Sequence, residues 1–124
     1  MLFLAVNHLR RIQQRTIAEH GGTLGLRDEG ALESAAMAVQ NRFYYEEADE
    51  IACAATYAYH LSQAHAFLDG NKRIAAQATE IFLFLNGIEL QATNDEIADL
   101  FLGIAASEIS REQIEQQLAQ WTTN

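Results

Sequence analysis

Start and stop signals for helices recur along the whole chain, and almost nothing in it reads as a strand. An apolar-periodic stretch from Phe3 to His20 stops at Gly21-Gly22, where glycine can take the left-handed conformation that ends a helix. After the glycine-punctuated loop Gly21–Gly25, Asp28 offers an N-cap for a second helix to about Gln40, with Leu32, Ala35, Ala36 and Val39 as its apolar stripe. Asn41–Ala48 mixes aromatic, basic and acidic residues and reads as an exposed loop or short hairpin. Asp49 caps a third helix ending near Ala64, whose alanines at 52, 54, 55 and 58 would let neighbouring backbones approach closely. A fourth runs from Asn71 to Asn86 and stops at Gly87; because it is apolar on both sides, it is expected at the centre of the bundle. Thr93-x-x-Glu96 and Ser110-x-x-Gln113 are capping boxes opening helices to about Ala106 and Trp121. Ile88–Gln91 could be a brief extended piece, but no strand set exists. The expected fold is an all-α, single-domain bundle of about six helices over residues 1–124.

A chain of 124 residues is long enough to bury about two-thirds of its unfolded surface. It contains no proline, low-complexity tract or repeat that would mark a linker. No apolar run approaches the length needed to span a bilayer, and the apolar start Met1–Val6 lacks a leading charge and a small-residue cleavage site, so neither membrane span nor secretory signal is expected. The single cysteine, Cys53, excludes a disulfide framework and fits a reducing cytoplasm; in its apolar stretch it reads as a small buried hydrophobe. A net charge of −9 opposes direct nucleic-acid binding and adhesion to anionic membrane. Charge is uneven: residues 1–42 carry 5 Arg against 4 acids, whereas the remainder carries 3 Lys/Arg against 13 Asp/Glu. A basic partner segment would suit such a surface.

Against that background one segment stands out. His65-Ala-Phe-Leu-Asp-Gly-Asn-Lys-Arg73 gathers an imidazole, a carboxylate, a glycine, an amide and two cations, and Lys72-Arg73 are the only lysine or arginine residues between Arg42 and Arg111. If Asn71-Lys72-Arg73 form the first turn of the fourth helix, their N–H groups lack intrahelical acceptors and point outward with the positive end of the dipole. That makes an anion site, and Gly70 keeps side chains out of the way. Basic residues in a first turn work against the dipole by a few tenths of a kcal/mol each, so an anionic ligand such as phosphate is expected to offset them. Asp69 is placed to bind Mg²⁺, which prefers one or two carboxylates with phosphate oxygens and water. His65 suits removal of a proton from a hydroxyl, and Phe67 reads as an apolar anchor. Singly, each has an ordinary reading: Asp69 as an N-cap, His65 as a loop histidine, Asn71 as a turn residue, Lys72-Arg73 as a solvated face. The conjunction is what points to transfer of a phosphate-containing group to a hydroxyl.

The segment His-x-Phe-x-Asp-Gly-Asn-Lys-Arg resembles the active-site motif of the Fic/Doc family, in its Doc (death-on-curing) branch. His20–Ala35 is similar to the family's N-terminal segment and Phe43–Glu47 to its flap, so the likeness covers roughly residues 8–106. The resemblance implies that His65 activates the target hydroxyl, Asp69 holds Mg²⁺, and Gly70, Asn71, Lys72 and Arg73 surround the phosphates of ATP. It also implies that Phe43–Tyr45 align the target by edge-strand pairing.

Two departures bear on the reaction. Adenylyl-transferring members typically have glycine where this chain has Lys72, and a second arginine where it has Ala76. Both differences resemble the Doc type, which transfers the γ-phosphate of ATP to a serine or threonine of a translation factor, elongation factor Tu. The alternatives are nucleotidyl transfer on the same scaffold, or a non-catalytic module that binds its antitoxin as partner or co-repressor. The family's built-in inhibitory motif is missing, since no Ser or Thr has Glu four residues later. Restraint is therefore expected from a cognate antitoxin with a disordered C-terminal segment. Gln13 stands where many members carry histidine. His60 is expected to face away from His65 and to pack, and His20 to be structural.

Overall fold

The computed structural model describes residues 1–122, which form six helices around one hydrophobic core: α1 (Val6–His20), α2 (Glu29–Glu46), α3 (Glu50–Ala64), α4 (Asn71–Leu85), α5 (Asn94–Ala105) and α6 (Arg111–Thr122). The all-α expectation holds, and the starts of α2, α3, α5 and α6 are where side-chain caps place them. Asp28 accepts the Ala31 N–H at 3.0 Å, and Asp49 the Ala52 N–H at 2.8 Å. The Thr93/Glu96 and Ser110/Gln113 pairs each exchange reciprocal hydrogen bonds. Each such cap is worth about 1 kcal/mol.

Three expectations need correction. Helix α1 begins at Val6, not Phe3, because the first five residues are held extended by distant side chains. The Tyr57 hydroxyl accepts the Leu4 N–H at 2.8 Å and donates to the Leu4 carbonyl at 3.1 Å, while the Asn86 amide exchanges the same pair with Leu2, each at 2.9 Å. Helix α2 runs on through the supposed loop at Asn41–Ala48 as far as Glu46. Its last turn is fixed by Arg42, whose Nη1 donates to the Ala52 carbonyl, Thr56 Oγ1 and Glu115 Oε2 at 2.9–3.2 Å, and by Phe43, which meets Phe3 edge-on with ring centroids 5.4 Å apart. Phe43–Tyr45 are therefore helical, with their backbone groups inside α2, and offer no strand edge for a target to pair with.

The third correction concerns the centre of the bundle, which is α3 rather than α4. Helix α3 packs against α2, α4, α5 and α6, and its small residues are buried all round, Ala52 to Ala58 without a break. By contrast Phe84, on the outer face of α4, is 75% exposed. Cys53 lies in the α3 core with its thiol pushed up to about 11 by burial, which leaves it inert at neutral pH. The Ile88–Gln91 stretch forms no strand; Gln91 donates its N–H to the Trp121 carbonyl at 2.7 Å, tying the α4–α5 connection to α6.

Candidate active site

The loop between α3 and α4 is held from below and from the side. Phe67 is 2% exposed, and burying such a ring stabilises by about 2–3 kcal/mol, so it anchors the segment in the core as expected. Asn71 Oδ1 accepts the Phe67 N–H and Asn71 Nδ2 donates to the Phe67 carbonyl, both at 3.0 Å. Its side chain is thereby spent on the loop, and only its backbone N–H is left for a ligand. The 21–28 loop docks alongside through an isolated antiparallel bridge between Leu26 and Phe67. The Ala66 carbonyl accepts the N–H groups of Arg27 and Asp28, and Leu68 donates to the Gly25 carbonyl at 3.0 Å.

Gln13 locks the two loops together, a role not foreseen for it. Buried to 2% exposure on α1, it accepts the Gly25 N–H at 3.1 Å and donates to the carbonyls of Gly25 at 3.1 Å and Asp69 at 3.3 Å. The signal was present in the sequence. Leu9, Ile12, Gln13 and Thr16 all lie buried at one helical spacing, so two polar side chains stand in an apolar stripe and must find partners.

All six predicted site residues line one cleft of about 890 Å³: His65, Asp69, Gly70, Asn71, Lys72 and Arg73. His65 closes α3 in the left-handed conformation (φ 48°), exposed, and no side-chain hydrogen bond among the described residues engages its ring. Gly70 also has positive φ (83°) and caps α4, whose first intrahelical bond is Ile74 N–H to the Gly70 carbonyl at 2.8 Å. The N–H groups of Asn71, Lys72 and Arg73 precede that bond and are free of helical acceptors. Lys72 and Arg73 are exposed, and no ion pair among the described residues includes either. Three N–H groups and two uncompensated cations at one helix start form a positive focus in an otherwise acidic chain.

Asp69 is not the N-cap of α4. Its Oδ2 accepts the Thr23 N–H at 2.7 Å, while Oδ1 has no hydrogen-bond partner among the described residues. No group of three metal-binding side chains exists among those residues, so a cation here would take one protein oxygen and complete its shell with phosphate and water. That donor set fits Mg²⁺ and would not hold zinc.

Other cleft residues escaped the reading of the sequence. His20, expected to be only structural, lines it from the end of α1, and Ala76 lies on its α4 side, so no second arginine is present there. Helix α5 supplies an apolar wall that includes Ile97, Phe101 and Leu102, with Asn94 at its start. Sequence separation hides His20 and the α5 residues, whereas Ala76 lies three positions beyond Arg73 and was singled out from the sequence. His60 is not a cleft residue; it packs half-buried with Nε2 3.3 Å from Arg111 Nη1, and burial, then the Arg111 charge, lowers its pKa.

The family model of the Fic/DOC family matches residues 3–83 of this chain. The protein kinase doc of Escherichia phage P1 is 35% identical over 111 residues, covering 89% of this chain and 87% of that protein. Toxin Doc of Mycolicibacterium smegmatis is 35% identical over 106 residues, covering 80% of this chain and 79% of the relative.

Proposed function

The chain belongs to the Fic/Doc family, and on that premise we propose that it is a Doc-type toxin, a phosphotransferase that moves the γ-phosphate of ATP to a serine or threonine hydroxyl of a translation factor of the elongation factor Tu kind. The observation that carries this reading is the start of α4, where three free N–H groups, Lys72 and Arg73 face the same cleft as the unengaged imidazole of His65. In the reaction the acceptor oxygen attacks the γ-phosphorus and the bond from that phosphorus to the β–γ bridging oxygen breaks. ADP leaves, and the hydroxyl proton passes to His65. Lys72, Arg73 and the helix N–H groups stabilise the charge on the phosphoryl oxygens, which is the main task of a protein in such a transfer. Mg²⁺ held at Asp69 would add positive charge against the same oxygens.

Lys72 and Ala76 favour transfer of the terminal phosphate over transfer of a nucleotidyl group. The cation at 72 sits where adenylyl-transferring members are open, and the cleft has no second arginine at 76. The toxin reading implies a cognate antitoxin whose disordered C-terminal segment folds onto the protein, and a translation factor as target places the activity in the cytoplasm. Incubation of the purified protein with elongation factor Tu, Mg²⁺ and ATP labelled at either the α or the γ position tests the proposal. Label transferred only from the γ position, and abolished by EDTA, is the expected result. Transfer of α label replaces the phosphotransferase reading with nucleotidyl transfer.

A further inference from the structure

Asp69 spends one carboxylate oxygen on a residue that itself bears a hydroxyl. Its Oδ2 accepts the Thr23 N–H at 2.7 Å, and Gln13 Nε2 donates to the Thr23 carbonyl at 3.5 Å. Both backbone groups of Thr23 are therefore fixed, while its side chain is exposed and no hydrogen bond among the described residues engages Oγ1. Bond lengths keep Oγ1 within roughly 4 Å of its own nitrogen, and so within about 7 Å of Asp69 Oδ2. Gly22 permits this approach, since a Cβ there would lie 3.1 Å from the Asp69 Cβ. Asp69 in turn stands two residues before the first free N–H of α4, and it lines one cleft with His65, Lys72 and Arg73. Other hydroxyls are committed elsewhere: Thr93 and Ser110 cap helices, and Thr16, Thr56, Ser62 and Thr79 are buried.

We propose that Thr23 is a self-modification site: the protein transfers the γ-phosphoryl group of its own bound ATP to Thr23 Oγ1 and thereby limits its own activity. The proposal rests on the phosphotransfer reading and adds a second acceptor to it. Thr23 Oγ1 attacks the γ-phosphorus, the bond from that phosphorus to the β–γ bridging oxygen breaks, and ADP leaves. The hydroxyl proton passes to His65. An acceptor fixed beside the phosphate site needs no encounter, so proximity alone raises its effective concentration. The product opposes further turnover in two ways. Phosphothreonine carries about −1.5 to −2 charges at pH 7, and next to the Asp69 carboxylate that charge repels an incoming nucleotide. It also attracts Lys72 and Arg73, two cations that no ion pair among the described residues occupies. Held by the chain's own phosphate, they no longer draw ATP. Restraint then comes from the chain itself as well as from a partner.

The test incubates purified wild-type protein with Mg²⁺ and γ-labelled ATP in the absence of any acceptor and maps the label by peptide sequencing. Label on Thr23 is expected, with a labelled fraction that does not depend on protein concentration. Thr23→Val, which keeps the N–H bound by Asp69, should take up about tenfold less label in total, and Thr23→Ser should recover it. Calorimetry on the phosphorylated wild type should show Mg-ATP affinity lowered about tenfold. Label mapped to another residue, label retained by Thr23→Val, or a labelled fraction that rises with protein concentration overturns the assignment while leaving phosphotransfer intact. So does wild-type protein that phosphorylates elongation factor Tu without labelling itself. Unchanged Mg-ATP affinity after labelling overturns the self-limiting role. Wild-type protein that binds Mg-ATP but labels neither itself nor elongation factor Tu rejects the underlying reading instead, so the two failures are distinct.

Discussion

Asn71 grips Phe67 at both backbone groups, accepting its N–H and donating to its carbonyl at 3.0 Å each. This two-point clasp ties the first residue of α4 to the buried anchor of the preceding loop, and so joins the start of that helix to the segment that carries His65. Asn71→Ala leaves both Phe67 groups without partners in a partly buried setting. A loss of about 2–3 kcal/mol in denaturant stability is expected. Asn71→Asp, which keeps the acceptor and loses the donor, should recover part of it.

Gln13→Ala should be at least as damaging. It strands the Gly25 N–H and the Asp69 carbonyl, while the Gly25 carbonyl keeps only the Leu68 N–H. Chemical denaturation is expected to show a loss of about 2–4 kcal/mol from unsatisfied buried groups and the cavity left behind. Because the 21–28 loop carries the Thr23 N–H bound by Asp69, magnesium dependence should shift to higher concentration at the same time.

His65→Ala separates chemistry from folding. The side chain is exposed and makes no hydrogen bond among the described residues, so stability should not fall. Phosphate transfer is expected to drop by roughly 10²–10⁴-fold, the usual contribution of a general base, while calorimetry still shows Mg-ATP binding. Retention of wild-type turnover would remove His65 from the mechanism.

Removing either free cation should act in the opposite sense on stability and on binding. Lys72→Ala and Arg73→Ala each delete a charge that opposes the α4 dipole and has no acidic partner among the described residues. Melting should show stability unchanged or raised by a few tenths of a kcal/mol. ATP affinity, read by calorimetry, should fall about tenfold for each.

The half-buried His60 sets a pH effect independent of the cleft. Burial and then the nearby Arg111 lower its pKa below the ordinary 6.5, so the unfolded chain binds this proton more readily than the folded one. Stability from this group is full above about 6.5 and is lost as pH falls toward the folded value. Denaturant midpoints measured across that window should decline with acidification in the wild type. A flatter profile is expected in His60→Gln.

Local chemistry made much of this molecule readable from sequence. Asp28, Asp49, Thr93 and Ser110 start helices through bonds to residues three positions away, and those starts appear where the sequence puts them. The candidate site was equally legible, because nine consecutive residues carry its chemistry and one loop-to-helix junction presents them. What was hidden depends on distant partners. Leu2 and Leu4 are held by Asn86 and Tyr57, 84 and 53 positions away, and no local signal distinguishes that arm from a first helical turn. Arg42 keeps α2 helical through α3 and α6 in a stretch whose composition suggested a loop. The central place of α3 was masked because alanine marks close approach without saying how many neighbours approach.

His65 sits with φ at +48°, a backbone setting that suits glycine and disfavours any side chain by about 1 kcal/mol. Backbone ease and the proposed chemistry therefore pull this position apart: His65→Gly should melt later than the wild type while losing phosphate transfer.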